Sequence, residues 1–183
     1  MLHHSISLRK IVLQSFIYLI LSFSSLGVAE DRPNILLIMA EDMSSRVGAF
    51  GDKVAVTPNL DKLAARGTRY PNTFTTSGVC APSRAAQILG VYQQSIGAHH
   101  MRTTSVVGEG PAGLIPYEAV PPSYVKMQSQ YFREAGYYTS NNAKEDYQFR
   151  KPITAWDDSS PQAHWRNRAS GQPFFSIFNI GIT

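Results

Sequence analysis

Short apolar runs alternate with helix-patterned stretches along this chain. Asn34 to Ala40, NILLIMA, is continuously apolar, the pattern of a strand covered on both faces of a parallel sheet. Two acids, Glu41 and Asp42, follow at once. They stand at the carboxyl end of a buried strand, where open α/β sheets place their ligands. TPNLDKLAARG carries helix punctuation: Thr57 as N-cap, Pro58 at the first helical position, Leu60, Leu63 and Ala64 on one face, and Gly67 as the stop. CAPSRAAQILG predicts a second helix, with Pro82 in its first turn and Gly90 just past its end. A third helix is predicted over Tyr124 to Ala135, closed by Gly136, and YYTSN behind it reads as the next strand. Pro173 to Ile182, PFFSIFNIGI, is one more apolar strand, whereas residues 103–123, rich in Gly and Pro, read as a loop. This alternation predicts an α/β fold, a mostly parallel sheet sandwiched by helices. No helix follows the last strand, so it is expected to show an exposed apolar face and an unpaired edge, as in a domain incomplete at its carboxyl end.

The amino terminus reads differently. Arg9 and Lys10 precede the apolar run IVLQSFIYLILSFSSLG and the small-residue step Gly27-Val28-Ala29. That order predicts a secretory signal over residues 1–29, cleaved after Ala29. An uncleaved anchor is the alternative, because the run nears the ~20 residues that span a bilayer. Either way the domain, residues 30–183, is expected to be exported, to a periplasm or beyond the cell. The net charge of +4 falls once Arg9 and Lys10 are gone. Nothing in the remainder resembles a nucleic-acid footprint, and no nucleic-acid partner is expected.

Export changes what a cysteine can mean. Cys80 is the only one in the chain, so an oxidising compartment offers it no intrachain disulfide. It falls at the start of the predicted second helix, where free N–H groups and the macrodipole favour an anion. Arg84, four residues on, shares its helical face, and a guanidinium fork suits an oxyanion. An inert buried thiol and a nucleophile both satisfy these observations.

CAPSR resembles the Cys-x-Pro-Ser-Arg signature of the type I sulfatases, formylglycine-dependent members of the alkaline-phosphatase-like superfamily. RPNILLIMAED is similar to that family's opening strand and acidic pair, and TPNLDKLAARGTRYPNTFT to the segment leading to the signature. Gly90 after the signature helix also matches, and AGYYTSNNAK resembles the later strand that delivers an active-site lysine, here Lys144. The likeness spans residues 32–183. It implies that a formylglycine-generating enzyme oxidises Cys80 to formylglycine, whose hydrated form attacks sulfur, expels the alcohol or amine, and then releases sulfate. It also implies a divalent cation, Ca²⁺ or less commonly Mg²⁺, held by Glu41, Asp42 and the modified side chain at Cys80. Arg84 and Lys144 are implied as catalytic residues, with Lys144 binding the sulfate.

Three departures from the family pattern stand out. Glu41 replaces the first of the paired aspartates, and Glu145-Asp146 stands where Trp-His is common after the lysine. His99 or His100 in GAHHMR is a candidate to supply an imidazole instead, with His100 assigned to the substrate. HHMR and NNAKEDY also resemble, more weakly, the bacterial branch near heparan N-sulfatases. The third departure is that the family's second metal pair has no counterpart before Thr183. The chain therefore reads as an amino-terminal portion of a catalytic domain, and turnover by it alone is not expected. The predicted substrate is a sulfated carbohydrate or small molecule. Two other readings compete: a phosphonate or phosphodiester hydrolase of the same superfamily, and a non-catalytic fragment binding sulfated glycans through Arg84 and Lys144.

Overall fold

The computed structural model describes residues 32–101 and 117–181, which belong almost wholly to the second of the two units into which the chain divides, Asn34–Thr183. The predicted leader over residues 1–29 lies outside the described residues, as does most of the predicted 103–123 loop. Four strands, β1 (Ile35–Ala40), β2 (Tyr138–Asn142), β3 (Asp158–Ser160) and β4 (Phe174–Ile180), pair in the order β1-β4-β2-β3, and every pairing is parallel. Three helices accompany them: α1 (Pro58–Arg66), α2 (Cys80–Leu89) and α3 (Gln128–Glu134). Because all strands run the same way, their carboxyl ends share one edge of the sheet. No helix among the described residues is long and apolar enough to cross a membrane.

The last strand overturns the expectation of a bare edge. β4 sits inside the sheet, pairing with β1 from Ile35↔Phe175 to Ala40↔Ile180 and with β2 from Tyr138↔Phe174 to Asn142↔Phe178. Phe174 to Ile177 are buried. The crossover places the apolar run where two neighbours satisfy both rows of its backbone groups, and among the described residues the opening strand takes the edge instead. β1 alternates half-buried and exposed positions, with Leu36 and Ile38 on the open face. It is therefore not covered on both faces among the described residues, against the reading of its continuous apolar run.

Phe175 is the centre of the core. Its ring stacks on Phe132 of α3 at 4.5 Å and on Trp156 at 5.9 Å, and Ala85, Ile88 and Leu89 of α2 join the same cluster. β2 brings polar residues into this interior, since Thr139, Ser140 and Asn141 are fully buried. Each has partners, as a buried polar group requires. Thr139 donates through its N–H and hydroxyl to the Asp157 carboxylate, Ser140 Oγ meets Ser176 Oγ at 2.7 Å, and Asn141 Nδ2 donates to the Lys144 carbonyl.

Local boundaries differ from the sequence pattern where side chains found other work. The third helix begins at Gln128 rather than Tyr124. Val125 N–H closes a turn onto the Pro122 carbonyl, and the Gln130 side chain accepts from Met127 N–H, so extended chain persists to Met127. Thr57 stands at the N-cap of α1, but its hydroxyl accepts from Gly48 N–H and donates to Asp61. Within 103–123, Ala119 forms a parallel bridge with Phe149, so that end of the loop is tied to the domain.

Truncating the central ring is expected to be costly. Phe175→Ala should lower unfolding stability by about 3–5 kcal/mol, through lost burial and the cavity left behind. Urea unfolding of wild type and variant side by side measures it.

Candidate active site

Three of the four parallel strands deliver polar residues to the same edge. Glu41 and Asp42 follow β1, Ala143 to Asp146 follow β2, and Asn179 lies near the end of β4. The backbone there is contorted. Asp42 (φ 55°), Ala143 (φ 67°) and Asp146 (φ 50°) are left-handed non-glycine residues. An alanine in that region is strained, and such strain clusters where the surroundings over-determine it.

Arg84 ties these ends together. Buried to 5% exposure, it projects from α2 with Nε donating to the Glu145 carbonyl at 2.8 Å and Nη2 to the Lys144 carbonyl and Asn179 Oδ1, both at 2.7 Å. Nη1 forms an ion pair with Glu41 Oε1 at 3.5 Å. Lys144 Nζ meets the other Glu41 oxygen at 2.7 Å and Asp146 Oδ2 at 3.3 Å. Partial burial alone pulls the Lys144 pKa down, but the hydrogen bond it donates to Glu41 and the charge of Asp146 outweigh it, and the pKa lies above the ordinary lysine value.

Cys80 is the first residue of α2, half-buried, with no side chain capping that helix start. It lines a cavity of ≈ 580 Å³ together with Glu41, Asp42, Ser83 and Arg84. Helical spacing thus puts Cys80 and Arg84 on one face as predicted, and the sheet edge brings the two acids to them. Lys144 does not line this cavity; its ammonium is paired with Glu41 of the wall. His99 and His100 do not line this cavity; Met101 beside them does. Both imidazoles are exposed, and His100 packs edge-on against Tyr117. Sequence reasoning missed Asn179, whose side chain accepts from Arg84 and donates to the carbonyls of Asn142 and Lys144. The only signal was an amide inside an apolar strand. It also gave Asp146 no role, although its carboxylate flanks Lys144.

Glu41 and Asp42 are hard oxygen donors beside residue 80, which is the chemistry Ca²⁺ or Mg²⁺ takes. No group of three or more His, Cys, Asp or Glu side chains assembles around a metal position among the described residues. The two carboxylates are the donor type of a hard-cation shell, but each Glu41 oxygen is paired with a protein cation, Arg84 or Lys144, which would have to yield for Glu41 to act as a ligand.

The Sulfatase family model matches residues 33–176. The chain belongs to the sulfatase family. It is 60% identical over 153 residues to an ulvan-active sulfatase of Formosa agariphila, covering 84% of this chain and 25% of that protein. It is 28% identical to mouse iduronate 2-sulfatase, covering 89% of this chain and 29% of that one. A solved structure from Bacteroides thetaiotaomicron, assigned as a candidate sulfatase, superimposes with a TM-score of 0.64 at 19% identity, over 83% of this chain and 36% of that one. That likeness carries the fold, in which this parallel α/β sheet recurs. The chain spans about a quarter of the length of the curated relatives it matches.

Two outcomes follow from the buried guanidinium and its neighbours. Arg84→Met strands the Glu145 carbonyl and Asn179 Oδ1 and leaves Glu41 with one cation fewer, so stability should fall by about 3 kcal/mol in urea unfolding. The raised Lys144 pKa means its interactions stabilise the fold fully below about pH 10.5, its ordinary value, and are lost as pH rises through the higher folded value. Titration of the Lys144 side chain by NMR should show this elevated midpoint, and Glu41→Gln should bring it down.

Proposed function

We propose that this chain carries the nucleophile and its immediate surroundings in an exported sulfatase that hydrolyses sulfate esters of carbohydrates. The observation that supports this best is the meeting of Cys80, Glu41, Asp42 and Arg84 in one cavity at the carboxyl ends of parallel strands. Cys80, converted to formylglycine by a formylglycine-generating enzyme, supplies an oxygen nucleophile that can later release sulfate. Glu41 and Asp42 hold a divalent cation, Ca²⁺ or Mg²⁺, which supplies Lewis-acid charge at the sulfate.

The chain's own groups do the rest. The uncapped start of α2 places backbone N–H groups and the positive end of the helix dipole beside residue 80, favouring the anionic sulfate. Lys144, held by Glu41 and Asp146, presents an ammonium that stays charged across the physiological range and binds sulfate oxygens. Arg84 acts as a positioning residue. Its donors are committed to Glu41, Asn179 and the carbonyls of Lys144 and Glu145, so it orders the groups that touch substrate. The same commitment counts against a non-catalytic glycan-binding role for that guanidinium. His100, next to Met101 of the cavity wall, meets the sugar rather than the sulfate. The ulvan and iduronate named for the relatives support a sulfated sugar as substrate, and an ulvan-type glycan is our first choice.

Mass spectrometry on full-length protein from its own host should show the Cys80 peptide about 18 Da lighter than the thiol form, the difference between a thiol and an aldehyde side chain. Cys80→Ala should abolish sulfate release from ulvan while the thermal midpoint stays near wild type, since the half-buried helix start tolerates alanine. An unmodified thiol throughout, or faster hydrolysis of bis(4-nitrophenyl) phosphate than of any sulfate ester, overturns the reading.

A further inference from the structure

A second cavity, ≈ 410 Å³, adjoins the one that holds Cys80. Thr75 and Ser83 line both, and their hydroxyls are hydrogen-bonded to each other at 2.5 Å, so the two spaces share a wall made of hydroxyl groups. The far side is formed by Gln87 on the outward face of α2 and by Tyr92. Gly90 brings Tyr92 there. Its φ of +67° ends α2 in the left-handed conformation, which reverses the chain at little steric cost. The Tyr92 side chain is left 68% exposed. Behind the wall, the fully buried Gln93 amide donates to the Thr76 carbonyl, and its Oε1 has no partner among the described residues.

The charge distribution separates the two cavities. Glu41, Asp42 and Arg84 all line the Cys80 cavity, whereas the second is lined by hydroxyls, one amide, an aromatic ring and small apolar groups, with no charged side chain among the described residues. A sulfate belongs in the first and is not favoured in the second. An aromatic face flanked by an amide and hydroxyls suits a pyranose, which offers an apolar C–H face and a rim of hydroxyl donors and acceptors. We propose that the second cavity is a subsite for an unsulfated sugar unit adjacent to the one carrying the scissile sulfate, with Tyr92 as its stacking platform and Gln87 as its hydrogen-bonding partner. The assignment rests on the sulfatase reading above and adds to it a specificity for glycan chains over simple sulfate esters.

Tyr92→Ala in the full-length protein separates these claims. On sulfated oligosaccharides prepared from ulvan, KM should rise about fivefold to tenfold, the size of a lost aromatic contact. On 4-nitrophenyl sulfate, which has no second sugar, kcat/KM should stay within about twofold by the same argument, and Tyr92→Phe should behave as wild type on both. An equal loss on the two substrates, or none on either, overturns the subsite. A wild type that hydrolyses neither defeats the sulfatase reading instead. The subsite is then judged by calorimetric binding of the same oligosaccharides to Cys80→Ala with and without Tyr92→Ala. Weakening of about fivefold or more upholds it, and an unchanged affinity or no binding at all overturns it.

Discussion

The site depends on one buried cation. Arg84 emerges from α2 and meets groups that follow β1, follow β2 and lie near the end of β4, so a single side chain bonds to the ends of three neighbouring strands. Burying a guanidinium is tolerable only when its donors are satisfied and its charge is balanced. Two backbone carbonyls, an amide oxygen and the Glu41 carboxylate do this here. A lysine could not, because a point charge on a flexible stem cannot serve a fan of acceptors lying in several directions. The position of Glu41, and through it of Lys144, follows from that requirement.

The interior of β2 extends the same logic. A strand carrying Thr139, Ser140 and Asn141 would be a poor choice for the middle of a sheet if its side chains had nothing to bond. Asp157, Ser176 and the Lys144 carbonyl supply the partners. The polar strand thus forms a specific hydrogen-bonded base for the loop that carries Lys144. The left-handed residues Ala143 and Asp146 turn that loop back over the sheet edge. Their conformational cost is met by the bonds that Arg84 and Asn179 make to the Lys144 and Glu145 carbonyls.

Charge is sorted across α2. The cavity that contains Cys80 collects acids and the guanidinium, while its neighbour across the Thr75–Ser83 wall carries an aromatic ring and, among the described residues, no charge. A helix that begins at Cys80 and ends at Gly90 can serve both cavities because its first turn faces the strand ends while Gln87 and the reversal at Gly90 lie on its outer side. On the proposed reading, such an arrangement would separate the recognition of an anion from the recognition of its carrier.

Much of this was legible in one dimension. Apolar runs of strand length, helix punctuation around Pro58 and Gly90, and the α/β alternation depend on local periodicity and backbone preference, which a sequence records directly. The spacing of Cys80 and Arg84 set them on one helical face, and the CAPSR resemblance implied their chemistry. Strand order was not legible, because pairing of β4 between β1 and β2 is a long-range choice that leaves no local mark. That choice moved the open apolar face from the last strand to Leu36 and Ile38 of the first. Nor could spacing reveal that Arg84 would spend its donors inside the protein, that Asn179 would receive one of them, or that Tyr92 would stand across a shared wall from Cys80. The residue types and helical faces of this protein were determined by its sequence alone; which charges neutralise one another was decided by tertiary structure, because only the packed sheet edge brings Glu41, Arg84 and Lys144 within reach of each other.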